Sequence, residues 1–151
     1  MKEGNRLPLF TLTDQNGKPF SSHSLLGKKH LIMFYYPEDG VPISTKEACA
    51  FRDSYFDFVE HGFEVIAIST DSCENHKVFE QQHNLPYRLL SDEDGAIRKL
   101  MEIPLTYLGV LPARVTLVVD KEGTIRRVFN TVFTASSHFK EAVKAVEGDS
   151  H

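Results

Sequence analysis

The sequence has no tryptophan, only two cysteines in 151 residues, and no surplus of basic side chains. Each shortage excludes something. Cys49 and Cys73 are too few for a disulfide-stapled scaffold, so a hydrophobic core has to hold the chain together. Seventeen Lys and Arg against 21 Asp and Glu leave a formal charge of −4, the wrong sign for a general nucleic-acid binder. No apolar run approaches the ~20 residues that a membrane-spanning helix needs. The first residues, Met1-Lys2-Glu3-Gly4-Asn5-Arg6, lack the apolar stretch of a secretory signal. Internal repeats and low-complexity segments are also missing. Together these absences lead us to expect a cytoplasmic protein with reduced thiols, no membrane partner and no nucleic-acid partner.

What remains is 41% apolar and includes eleven phenylalanines. Chains of this length bury roughly 70% of the surface they expose when unfolded, which suits one core. We expect a single domain over residues 1–146 and a flexible polar tail over 147–151.

The pattern along the chain alternates strands and helices. Asn16-Gly17 between short apolar pieces reads as a hairpin turn within Leu7 to Phe20. Leu31-Ile32-Met33-Phe34-Tyr35-Tyr36 is a short continuous apolar run, as in a strand buried on both faces. After a loop from Pro37 to Pro42, the spacing of Ala48, Phe51, Tyr55, Phe58 and Val59 predicts one helix ended by Gly62. Phe63 to Ser69 reads as a strand, and Asp71 to His83 as a helix capped by Asp71. A short helix is expected at Gly95 to Met101. Strands at Val115 to Asp120 and Thr124 to Phe129 are joined at Lys121-Glu122-Gly123, and Ser136 to Val146 forms a last helix. Strands separated by helices pair in parallel through right-handed crossovers. The fold class is therefore α/β, with a mixed central sheet flanked by helices. The thioredoxin fold has this shape, as do others.

The segment from Phe34 to Asp53, which contains Pro37-Glu38-Asp39-Gly40-Val41-Pro42-Ile43-Ser44 and Glu47-Ala48-Cys49-Ala50-Phe51-Arg52-Asp53, resembles the active-site region of peroxiredoxins. It is most similar to the subgroup called peroxiredoxin Q or bacterioferritin comigratory protein. The resemblance extends through Ser69-Thr70-Asp71-Ser72, His76-Lys77-Val78-Phe79, Asn84 to Asp92, and Pro112 to Asp120, in the right order over nearly the whole chain. It implies a thioredoxin-like fold and reduction of hydrogen peroxide and alkyl hydroperoxides. It also implies electrons from thioredoxin or a similar dithiol protein, and a monomer or weak homodimer. No metal, haem or flavin is implied, because cysteine carries the electrons.

Placed on the family motif, Pro37 falls on the motif proline and Arg114 on the active-site arginine. Cys49 falls on the resolving cysteine. Val41 occupies the motif Thr position, and Ser44 occupies that of the peroxide-reactive cysteine. The family reaction is attack of a thiolate on the O–O bond. A helix N-terminus and a neighbouring Arg lower the thiol pKa from ~8.5 and so raise the reactive fraction. Ser44 cannot replace that thiol. Its alcohol is un-ionised at neutral pH and has no path to a sulfenic acid. Val41 has nearly the shape of Thr without its hydroxyl. No His is placed to make Ser44 a hydrolase nucleophile.

Bland readings compete at each position. Ser44-Thr45-Lys46-Glu47 matches a capping box, with Ser44 as helix N-cap. Cys49 reads as a small apolar helix residue packed near Phe56 or the sheet, and Phe51, Phe56, Phe58 and Phe63 read as core. Cys73 reads as an incidental thiol. Cys73, His76, Glu80 and His83 share one helix face, but the first and last lie ~15 Å apart along the axis, so no metal is expected there.

Three functional readings follow. One is the family's thioredoxin-dependent peroxidase, which this chain would perform poorly with Ser44 and Val41. Another is a natural pseudoperoxiredoxin that binds or regulates. The last is a Cys-to-Ser variant of an active enzyme. Val41 favours natural loss, because one deliberate change at position 44 leaves position 41 unexplained.

Overall fold

The computed structural model describes residues 1–106, 109, 111–130 and 135–147. Among the described residues the strands and α-helices are β1 (Thr11–Asp14), β2 (Pro19–Ser21), β3 (His30–Tyr35), α1 (Pro42–Asp53), α2 (Tyr55–Glu60), β4 (Phe63–Ser69), α3 (Cys73–His83), β5 (Arg88–Ser91), α4 (Ala96–Leu100), β6 (Leu105–Thr106), β7 (Leu111–Pro112), β8 (Val115–Val119), β9 (Ile125–Phe129) and α5 (Ala135–Glu147). Seven strands make one sheet in the order β2-β1-β5-β4-β3-β8-β9. β3, β4 and β5 run parallel, while β1, β8 and β9 join antiparallel. This is a mixed sheet with flanking helices, the thioredoxin-like α/β arrangement.

β3 lies near the middle of the sheet because its side chains can be buried on both faces. Ile32 and Phe34 enter one core with Phe51, Phe58, Phe79 and Ala142, which brings α1, α2, α3 and α5 to that face. Leu31, Met33 and Tyr35 enter the other core with Phe10, Phe20, Ile97 and Met101. The period-2 alternation of a strand makes this division automatic. Phe34 and Phe51 stack with ring centroids 4.3 Å apart, fixing α1 against the strand that precedes it.

Several expectations need correction. The helix expected from Ala48 to Gly62 is two helices, broken at Ser54. The break leaves Phe56 pointing outward with 76% exposure, so Phe56 is not core. Ser72, not Asp71, caps α3, accepting the Asn75 N–H. Asp71 instead accepts from the Ser69 hydroxyl and the Asp39 N–H. Ser44 is not a cap either. Pro42 takes the first helical position, so α1 begins three residues earlier and Val41 becomes the N-cap. β5 was not foreseen. It has only two buried side chains, Leu89 and Leu90, and its pairing with β4 supplies what its pattern lacks. Of the expected tail, Glu147 belongs to α5 and residues 148–151 lie outside the described residues.

Candidate active site

Ser44 is the third residue of α1 and is 1% exposed. Its Oγ accepts a 3.0 Å hydrogen bond from Nη1 of Arg114. The two meet because β8 pairs antiparallel with β3, with Val115 opposite Tyr35. Arg114 immediately precedes β8, and α1 starts seven residues after β3 ends, so both reach the same end of the sheet. The Arg114 guanidinium also lies 3.6 Å from Oε1 of Glu47, which is 1% exposed. Ser44 and Glu47, three apart, share one face of α1. Arg114 therefore faces a neutral hydroxyl and a buried carboxylate together. The sequence offered Glu47 only as half of a capping box, and its pairing across 67 residues leaves no local signal.

The loop between β3 and α1 is pinned from below. The Tyr36 hydroxyl donates to Oδ1 of Asp39. Nδ1 of His76 lies 2.7 Å from Oδ2 of Asp39, and Nε2 lies 3.1 Å from the Leu90 carbonyl. That carbonyl can only accept, so the imidazole donates to it through Nε2–H and faces Asp39 with Nδ1. Burial, followed by the Asp39 charge, holds the Tyr36 phenol well above its usual value. Burial likewise raises the Tyr87 phenol, with the neighbouring Cys49 and Glu47 adding to it.

Pro37 lines a cleft of about 440 Å³ beside this loop, with Thr70, Asp71, Glu93 and Pro112 among its other walls. Val41 is half-buried at the head of α1 and caps through its carbonyl, which accepts the Thr45 N–H. Cys49 is a free, half-buried thiol five residues beyond Ser44, a rise of about 7.5 Å along the helix. The structure thus brings Ser44, Arg114 and Glu47 together and sets Cys49 further along the same helix. Cys73 is also free and accepts from the Ser91 hydroxyl at 3.6 Å.

Among the described residues, Asp39, Asp71 and His76 place ligand-type atoms within 4.8 Å of one another. Their oxygens already accept from the Tyr36 hydroxyl, the Ser69 hydroxyl and the Asp39 N–H, and Asp39 Oδ2 meets His76 Nδ1. The α3 face read from the sequence does not converge. His76 is fully buried, while Glu80 turns to Gln15 and Lys77.

The family described as AhpC/TSA matches residues 4–128. A chloroplastic peroxiredoxin Q of Suaeda salsa is 44% identical over 147 residues, 97% of this chain and 68% of the relative. That of Sedum lineare is 43% identical over 145 residues, 96% of this chain and 77% of the relative. The crystal structure of the peroxidoxin BcpB from Mycobacterium tuberculosis superposes with a TM-score of 0.87 at 31% identity, covering 99% of this chain and 98% of that one. The chain spans about two thirds to three quarters of these curated relatives' lengths. Both curated relatives are chloroplastic, which overturns the expectation of a cytoplasmic protein. The missing signal-peptide stretch that prompted it speaks only to secretion.

Proposed function

The chain belongs to the AhpC/TSA family, among peroxiredoxin Q proteins, and from that premise we propose that it keeps the peroxiredoxin pocket while lacking its reactive thiol. The family function is peroxide reduction with a thioredoxin-like reductant. In our reading Ser44 stands at the peroxidatic position, Cys49 at the resolving position, Val41 at the motif Thr, and Pro37 and Arg114 at the retained motif positions. The observation that carries this is the 3.0 Å bond from Arg114 to Ser44 Oγ at the first turn of α1. There, a cation and a helix N-terminus converge on one buried atom, the environment that makes a thiolate reactive. With oxygen in place of sulfur no sulfenic acid forms, and peroxide turnover is largely lost. The protein acts as a pseudoperoxiredoxin, a binding or regulatory form of the fold. The half-buried Val41, which offers no hydroxyl, favours this over a lone Cys-to-Ser replacement.

The test is restoration. Ser44→Cys should acquire peroxide consumption driven by thioredoxin, and Cys49→Ser added to it should abolish turnover while leaving one oxidation per chain. A folded Ser44→Cys protein whose thiol is inert to hydrogen peroxide would refute the assignment of the pocket. Thioredoxin-driven turnover by the unaltered chain, persisting in Cys49→Ser and Cys73→Ser, would refute the loss of activity.

A further inference from the structure

The end of the sheet opposite Ser44 holds a second cavity. Leu31 pairs with Val119 there, four strand residues from the Tyr35–Val115 pair beside the pocket, or about 13 Å along the strand. The cavity measures about 180 Å³ and is partly enclosed. Its apolar wall is Leu7, Leu9, Leu25, Leu26, Leu31 and Val119, and Ser22 and His23 also line it. Gly123 lets the β8–β9 hairpin close over it. A Cβ at this position would stand 3.0 Å from Leu26 Cδ2 and 3.3 Å from Arg6 Nη2.

The rim is cationic although the chain carries a net charge of −4. Arg6, Lys29 and Lys121 line the opening, and all three are exposed. The lining has one carboxylate, Asp120, and it is committed elsewhere. Its Oδ1 accepts the N–H groups of Glu122 and Thr124, and its Oδ2 lies 3.6 Å from Arg126. Lys29 has a loose 3.9 Å contact with Glu64, and Arg6 donates to the Glu122 carbonyl rather than to a carboxylate.

We propose that this cavity binds a small apolar carboxylate with about the bulk of one benzene ring. An apolar cavity of about 150 Å³ lined by Leu, Ile and Phe is known to stay dry and accept benzene, so the wall and volume here suit a ring or a short branched tail. The three rim cations supply what a purely apolar cavity lacks, a place for one negative charge at the mouth. The ligand's tail lies against the leucines, and its carboxylate stays partly in water, where a charge costs least to hold. The site is separate from the Ser44 pocket and needs neither cysteine.

Phenylacetate is the probe and benzyl alcohol its uncharged control, both titrated into the full chain and followed by amide chemical shifts. Phenylacetate should move the amides of residues 6, 7, 9, 22–31 and 119–123 and bind at least about tenfold more tightly than benzyl alcohol. The exposed-site double variant Lys29→Glu with Lys121→Glu should weaken phenylacetate about tenfold and leave benzyl alcohol unchanged. Raised salt should weaken phenylacetate alone. Equal binding of the two probes, insensitivity to charge reversal, shifts centred on Ser44 and Arg114, or no saturable shift at either end would each overturn the proposal. Lys29→Ala with Lys121→Ala, which cannot create new repulsion, should give a smaller loss in the same direction. No loss in that variant would also count against it.

Discussion

Replacing Ser44 by cysteine in a Cys49→Ser, Cys73→Ser background leaves one thiol, at the point where Arg114 and the start of α1 converge. An ordinary cysteine with a pKa near ~8.5 is about 3% ionised at pH 7. A cation within hydrogen-bond reach lowers a thiol pKa by roughly 1–3 units. Here the donor is Arg114 Nη1, 3.0 Å from the atom that sulfur would replace. Two features oppose it. The position is 1% exposed, which penalises the charged form, and Glu47 lies 3.6 Å from the same guanidinium and takes up part of its field. The cation prevails at hydrogen-bond distance, so the pKa falls below that of an ordinary cysteine and the thiolate fraction at pH 7 rises by about tenfold. The assay is the pH dependence of iodoacetamide alkylation, read by intact mass. Two further substitutions give opposite signs: Arg114→Gln should raise the midpoint to ~8.5 or above, and Glu47→Gln should lower it further. A midpoint unchanged by Arg114→Gln would refute the electrostatic argument, whatever the reactivity of the thiol.

Val41→Thr should stabilise the unaltered chain by about 1 kcal/mol, because the N-cap backbone is already extended at φ −74° and ψ 149° and has no side-chain acceptor. In a chain of this size that is a rise of about 2–4 °C in Tm, and a fall would show the hydroxyl is not reaching the amides of the first turn. Combined with Ser44→Cys, the same change should raise peroxide turnover up to about a hundredfold if its hydroxyl acts in the transition state. Phe34→Ala, which unstacks Phe51, should cost about 3–5 kcal/mol in urea unfolding, whereas Phe56→Ala should fall within about 0.5 kcal/mol of the parent. Burial and then Lys121 lower the His30 pKa below 6.5, so the folded state favours neutral imidazole. Its contribution is complete above pH ~6.5 and is lost as pH falls through the folded pKa; His30→Asn should flatten the stability profile on the acid side of ~6.5, and an NMR midpoint above 6.5 would contradict the sign.

The sequence by itself carried the fold class, because β3 is apolar at every position after His30 and β8 at every position except Thr116. It also brought Pro37, Val41, Ser44, Cys49 and Arg114 into one candidate constellation, since motif spacing survives in one dimension. Local readings went astray where two signals competed over a few residues. Ser44-x-x-Glu47 satisfied a capping box, yet Pro42 could only occupy the first turn, which moved the cap to Val41 and turned Ser44 and Glu47 inward. Asp71 and Ser72 were both eligible caps, and the choice fell to Ser72 because Asp71 was drawn to Ser69 and the Asp39 N–H. Only tertiary structure could decide that Arg114 spans Ser44 and Glu47, that Asp39 meets His76, or that β5 is a strand. Each depends on residues dozens of positions apart being brought together by strand pairing, and neither period nor spacing records what the far side of a sheet will place opposite a side chain.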